Sequence, residues 1–316
     1  MTYAAAAAAA LADEMERDAR VVALGEDLGR GGIFGQYGGL LERFGAARVI
    51  DTPISEATIA GAAVGMALTG LKPVVEMRVV DFALCAMDEI VNQAAKNRFM
   101  FGGQGRVPMV VRMPIGIWSA SAAQHSQSLE SWFAHVPGLV VACPATPQDN
   151  YALLRASLAS GDPVAYLEHK ELWGVEGVVD TVQDVAIGRA RIARAGRDLT
   201  IVSWSRAVHE SLEAARSLEA DGIDAEVIDL RTIWPWDRDT VEASARRTGR
   251  VLVAHEAVQV AGFGAEIVAT LAERNVARVL RIGAPRVPVG YSAPLEQVVR
   301  VNAAKIAEAA RRLVDG

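Results

Sequence analysis

The 316-residue chain lacks the features that would tie it to a disulfide framework, a metal cage, a membrane or a polyanion. It has two cysteines, Cys85 and Cys143, each in an apolar stretch. That usage suits reduced core thiols, not a small stapled scaffold. Its five histidines are dispersed at positions 125, 135, 169, 209 and 255, and no CxxC, HExxH or EF-hand pattern occurs, which disfavours a dedicated protein metal site. No GxSxG elbow is present, and Ser126 beside His125 does not make a triad by adjacency. Positive charge is not in excess: the net charge of -6 and pI near 5.5 leave no basic field for nucleic acid or anionic lipid. No apolar run reaches the roughly 18 residues of a membrane span. The N-terminal alanine run has no basic region before it and is followed by Asp13, Glu14, Glu16 and Asp18, so it reads as a helix rather than a signal peptide. These absences lead to the expectation of a cytoplasmic protein.

What is present is apolar content of 51%, enough for one or two full cores. Short apolar runs alternate with helix-compatible segments along the whole chain. In the first half the runs are 20–24, 73–77, 108–113, 139–142 and 164–168, with intervening helices expected at 56–69, 82–98 and 148–160. Such alternation implies right-handed crossovers and a mostly parallel sheet covered on both faces. Residues 173–188, rich in glycine, acids and valine, lack a helical period and mark a crossing to a second unit. The second half repeats the alternation on a smaller scale, with runs at 199–204, 225–230, 251–255 and 279–282 and a closing helix near 294–313. The expected fold is therefore α/β: a doubly wound domain over 1–185 and a smaller α/β domain over 186–316.

Glycines at 29, 31, 32, 35, 38 and 39 invite a dinucleotide reading, but no GxGxxG joins a strand directly to a helix there, and Gly262-Phe-Gly264 is likewise incomplete. They read as turn glycines. A more pointed feature is Glu56, which opens a small-residue helix just beyond a strand, where α/β sheets form their clefts. Taken alone it reads first as a helix N-terminal acid favoured by the helix dipole.

Several blocks carry a resemblance. Asp51-Thr-Pro-Ile-Ser-Glu56 is followed by Ala60-Gly61-Ala-Ala-Val-Gly65. Then come Asp88-Glu-Ile-Val-Asn92 with Ala94-Ala-Lys96 and Phe101-Gly-Gly-Gln104, Ala123-Gln-His-Ser-Gln-Ser128 with Ala134-His-Val-Pro-Gly-Leu139, and Leu230-Arg-Thr-Ile-Trp-Pro235 with His255-Glu-Ala257. In this order they resemble the beta subunits of thiamine-diphosphate-dependent 2-oxo acid dehydrogenases, of the pyruvate, branched-chain and acetoin types within the transketolase-like superfamily. The blocks span most of the chain.

The resemblance implies a pyrimidine-binding domain followed by a transketolase-type C-terminal domain. It implies thiamine diphosphate shared with an alpha subunit in a heterotetramer of two alpha and two beta chains, with Mg2+ held mainly by the alpha chain, and in some relatives a K+ ion that steadies a loop. The family's magnesium signature, a GDG with a later Asn, is missing from these residues. By its match, Glu56 would bond the pyrimidine nitrogen and Phe82 would pack on the pyrimidine. His125 would orient substrate and assist acyl transfer to a lipoyl group. For Phe82 a plain core role, and for His125 a structural one, remain the alternatives. Arg78 stands in the stretch near the cofactor, where relatives acting on pyruvate are often uncharged. It is read either as a buried clamp for a substrate carboxylate or as the partner of Asp81. His135 and His169 are expected to serve the scaffold.

The implied function is decarboxylation of a 2-oxo acid with transfer onward, a lipoyl-bearing acyltransferase being a further partner. Two alternatives stand beside it: acetoin-dehydrogenase-like or transketolase-like carbon-carbon chemistry without a lipoyl partner, and a non-catalytic assembly subunit. The segment Gly283-Ala-Pro-Arg-Val-Pro288 lacks the acid common in that family turn, which leaves docking to a lipoyl core open.

Overall fold

A run of five fully buried residues, Val21–Gly25, opens the sheet of the first unit as strand β1 in a computed structural model that describes residues 1–315. It is followed by β2 (Val49–Asp51), β3 (Lys72–Glu76), β4 (Val110–Ile115), β5 (Val140–Ala142) and β6 (Val164–His169). The spatial order is β5-β6-β4-β3-β1-β2, every pair parallel. Near-continuous apolar strands belong in a sheet covered on both faces, and helices supply the cover. The alanine-rich helix Tyr3–Arg17 packs on the helix Pro147–Ala159 over one face. Small side chains allow that close approach: Ala6, Ala7 and Ala10 are fully buried in the same core as Leu153 and Leu154. Thr2 caps the first helix by accepting from the Ala5 amide, and Thr146 caps the second by accepting from the Asp149 amide.

Among the described residues the second unit comprises 188–315 together with 116–131, and the first comprises 1–115 and 132–187. After β7 (Arg191–Arg194) come β8 (Leu199–Ser203), β9 (Ala225–Asp229), the short β10 (Thr232–Trp234), β11 (Arg250–Val258) and β12 (Arg278–Ala284). The sheet order is β12-β11-β8-β9-β7, with β7 alone antiparallel to its neighbour β9. Its core includes His255, whose ring stacks on Trp204 at 5.2 Å. A Cβ on Gly262, Gly264 or Gly283 would approach that ring to 2.5–2.8 Å, so all three glycines make room for it. Burial holds the imidazole well below its ordinary pKa, at about 4. This histidine is a neutral core group. No helix among the described residues is long and apolar enough to cross a membrane.

Three local expectations are corrected. The stretch 82–98 is not one helix. It is a 3₁₀ turn at Phe82–Ala86, a π-helical turn at Glu89–Ala94 and a short α-helix at Ala95–Met100. The Asp88 carboxylate accepts from Asn92 and Gln93, four and five residues on, within this wider turn. The closing helix is two, Ala293–Val299 and Ala303–Asp315. Lys305 braces the break by donating to the carbonyls of Gln297, Val298 and Arg300. Cys143 is a buried thiol, but Cys85 is exposed, because it falls on the outer side of the 3₁₀ turn.

The charged group at the centre of the first unit is Arg112 on β4, fully buried and bonded at Nε and Nη2 to both oxygens of Glu168, each at 2.8 Å. Removing one partner of such a pair strands the other in a dry interior, at a cost of about 3–5 kcal/mol. Glu168→Ala is accordingly expected to lower unfolding stability by about that amount. Chemical denaturation read by circular dichroism checks it.

Candidate functional site

Parallel pairing fixes the site. Gly25 pairs in register with Asp51 on β2 and Glu76 on β3, so three strands end at one level. The segments leaving those strand ends are thereby gathered at one edge: Glu26-Asp27 after β1, the turn to Glu56 after β2, and Met77-Arg78 after β3. Gly25 is required at the crossing point, because a Cβ there would meet Glu76 Cβ and the Glu76 carbonyl at 2.8 Å.

Glu56 is the first residue of the helix Glu56–Leu68 and is half-buried. The helix starts there because Ser55 leaves helical geometry and the Thr52 amide is held by the Gly25 carbonyl at 3.0 Å. It packs on β3 and on the 3₁₀ turn that carries half-buried Phe82. Glu56 and Phe82 thus belong to two elements in direct contact. Two further residues at this edge, Asp27 and Arg78, both adopt left-handed backbone at φ +59 and +49, and their side chains form an ion pair. Arg78 is therefore partly exposed, where the clamp reading took it as buried. Its side chain is 32% exposed, and it reaches across the strand ends to Asp27.

Glu26 carries no motif in the sequence, and it is the most telling of these groups. Burial raises its pKa above the ordinary carboxylate value. The neighbouring Glu56 adds to the rise, Arg78 opposes it and Asp27 adds a little more. Glu26 thus senses both Glu56 and Asp27, with the Arg78 guanidinium opposing them. The only sequence signal is two acids directly after a buried strand and its glycine. Deeper in, Tyr37 donates to Glu76 at 2.9 Å, and burial pushes the Glu76 carboxyl up to about 7 against the pull of Arg112.

His125 belongs to the second unit, exposed at the end of the 3₁₀ turn Ala123–His125. His169, at the end of β6, is buried and accepts from the Glu171 amide at Nδ1, a scaffold arrangement.

Chemically, the first unit offers a half-buried carboxylate at a helix start, a second carboxylate with raised proton affinity beside it, and an aromatic ring on the adjoining turn. Such a set supplies a hydrogen-bond acceptor, a carboxyl that holds a proton more readily than usual and a stacking surface.

Residues 1–175 match the family model "Transketolase, pyrimidine binding domain", and residues 188–306 match "Transketolase, C-terminal domain". Among curated proteins, the chain is 41% identical to the acetoin:2,6-dichlorophenolindophenol oxidoreductase subunit beta of Cupriavidus necator, covering 97% of this chain and 95% of that protein. It is 39% identical to the 2-oxoisovalerate dehydrogenase subunit beta of Bacillus subtilis over 100% and 99% of the two chains. It is 41% identical to the pyruvate dehydrogenase E1 component subunit beta of Rhizobium meliloti over 98% and 69%. Among solved structures, a chain described as a split-gene transketolase, inactive beta4 tetramer, shares the fold. Its TM-score is 0.83 at 24% identity, over 99% of this chain and 98% of that one.

Because Arg78 lowers the proton affinity of Glu26, Arg78→Gln is expected to raise the Glu26 pKa further. A carboxyl-carbon NMR titration with 13C-labelled glutamate, assigned with Glu26→Gln, reads the shift.

Proposed function

The chain belongs to the transketolase-like beta subunits of the 2-oxo acid and acetoin dehydrogenases, and from that membership we propose that it supplies the aminopyrimidine half of a thiamine diphosphate site completed by an alpha chain. One observation carries the split-site reading. Apart from Glu56 and the exposed Thr58 the helix headed by Glu56 carries only apolar residues and glycine, yet Ala57, Ala62, Gly65 and Leu68 are exposed along it, and Ile54 just before it is 78% exposed. A helix of that composition is ordinarily buried all round. Its open side suits a second protein chain, whose seam would then run beside the carboxylate.

The residues present fit the pyrimidine half of the cofactor. Glu56 would accept a charge-assisted hydrogen bond from a ring nitrogen and hold or move the proton there. Glu26, with its raised proton affinity, would damp the charge that builds at Glu56 when that proton leaves. Phe82 would stack on the ring, an arrangement contributing roughly 1 kcal/mol beyond burial. When bound, thiamine diphosphate supplies the carbon nucleophile that adds to a substrate ketone. His125 would orient the substrate and pass a proton during onward transfer of the acyl fragment. Mg2+ and the diphosphate fall to the alpha chain in this reading, since the chain has no GDG with a following Asn.

The reaction proposed is decarboxylation of a 2-oxo acid and transfer to a lipoyl group, within a heterotetramer of two alpha and two beta chains. A second reading, cleavage of a neutral acyloin, draws on the charge around the site. Glu26, Asp27 and Glu56 face one guanidinium already engaged by Asp27, and such a field tolerates an uncharged substrate better than an anionic one.

Calorimetric titration of thiamine diphosphate and Mg2+ is the test. Heat of binding is expected only for the chain co-purified with an alpha subunit, and tight binding to this chain alone would contradict the split site. In the assembly, Glu56→Gln conserves volume and should leave the complex intact while lowering turnover by at least about 100-fold, the range for loss of a general acid-base group. Unchanged turnover would remove Glu56 from its role.

A further inference from the structure

The segment 116–127 is closed on itself, with the Gly116 amide donating to the Gln127 carbonyl at 2.9 Å. Inside that ring the backbone is unusually unfavourable. Ser119, Ala120 and Ala122 have φ of +48, +54 and +60, three non-glycine left-handed residues within four positions. Ala122, at φ +60 and ψ -164, lies in a region that is essentially glycine's alone. It directly precedes the turn Ala123–His125, and the His125 amide turns back toward the Ala122 carbonyl. The conformation at 119–122 therefore fixes where the histidine sits.

Strain of this kind persists only where surrounding contacts over-determine it. Two carboxylates of the second unit supply them. Glu296, on the helix Ala293–Val299 and 5% exposed, accepts from the Ala120 amide through Oε2 at 2.9 Å. Its Oε1 accepts from Arg300 at 2.6 Å. Glu256, in β11, accepts from the Ile117 amide at 2.8 Å and, more weakly, from Ser128 Oγ at 3.4 Å. Ile117 itself is buried with Ala284 and Val299. A carboxylate bonded to a backbone N–H is a strong, directional tie, and the Arg300 guanidinium on Oε1 keeps the Glu296 carboxylate aimed to make it.

We infer that Glu296, through the Ala120 amide, and Glu256, through Ile117 and Ser128, are positioning residues that hold the strained 116–127 loop and thereby place His125 for reaction. This rests on the proposed role of His125 in substrate orientation and proton transfer. The loop's geometry would thus be maintained from the C-terminal domain, although the histidine lies far away in sequence.

The test uses the complete assembly co-purified with its alpha chain, in wild-type, His125→Ala, Glu296→Ala and Glu296→Gln forms. Turnover and the hydrogen-deuterium exchange of residues 116–127 are measured together. Glu296→Ala should speed exchange across the loop by at least about tenfold and lower kcat by a similar factor, with thiamine diphosphate affinity within about twofold of wild type. Gln keeps an acceptor for the Ala120 amide and should restore slow exchange and most of kcat. Wild-type exchange in Glu296→Ala, or fast exchange with undiminished kcat, overturns the inference. Should Glu296→Ala fail to fold, the Gln form decides: slow exchange with kcat retained supports positioning, and slow exchange with kcat lost overturns it. Undiminished turnover in His125→Ala identifies a different failure, that of the histidine's assigned role, and removes the inference with it.

Discussion

The first unit depends on a fully buried ion pair, Arg112 with Glu168, around which its other polar interior groups are arranged. Asn150 donates to Glu168 and to the Tyr3 carbonyl, each at 3.0 Å, tying the helix Pro147–Ala159 and the N-terminal helix to β6. Tyr166 donates back to Asn150. On the other side the Arg112 guanidinium lies over the Tyr37 ring at 4.7 Å, and Tyr37 donates to Glu76. One charged pair thereby links two strands, two helices and the glycine-rich loop. Its contribution is geometric as much as energetic, since a buried pair gains little over a well-packed apolar substitute while specifying one arrangement strictly.

That arrangement sets up the acidic edge. With β1, β2 and β3 ending in register, the chain must deliver Glu26, Asp27, Glu56 and Arg78 into one small region. Placed there, the charges of Glu56 and Asp27 add to the rise that burial gives the Glu26 pKa. The ion pair between two left-handed residues, Asp27 and Arg78, offsets part of this and braces both turns. The arginine thus has an electrostatic role in the folded chain before any substrate is considered.

The alternation of strands and helices, the mostly parallel first sheet and the smaller second α/β unit were legible in the sequence, because buried strands leave continuous apolar runs. So was the helix beginning at Glu56. The three-part build of 82–100 was not, since apolar spacing does not distinguish α from 3₁₀ or π turns over such short lengths. The exposure of Cys85 follows from that same local geometry. The partnership of Arg78 with Asp27 was equally hidden, and Asp81 was the nearer acid to expect, because contacts across parallel strands leave no trace in sequence spacing. The grouping of 116–131 with the second unit was also invisible: Glu256 and Glu296, which accept from its Ile117 and Ala120 amides, lie more than a hundred positions away.

Two features share one physical logic. The Glu56 helix exposes an apolar face that folding of this chain leaves in water, and the 116–127 loop holds a backbone that its own residues do not favour. Neither adds to the chain's stability, and each adjoins a residue with candidate chemistry. The buried ionic core fixes the sheet beside the first feature, and Glu256 and Glu296 hold the second. An apolar face left open beside a carboxylate gains from being covered, since cover takes water from both. A strained loop persists only where contacts from elsewhere in the fold over-determine it. The stable interior and the unfavourable periphery are therefore parts of one design, in which rigidity at the sheet permits local cost at its edges.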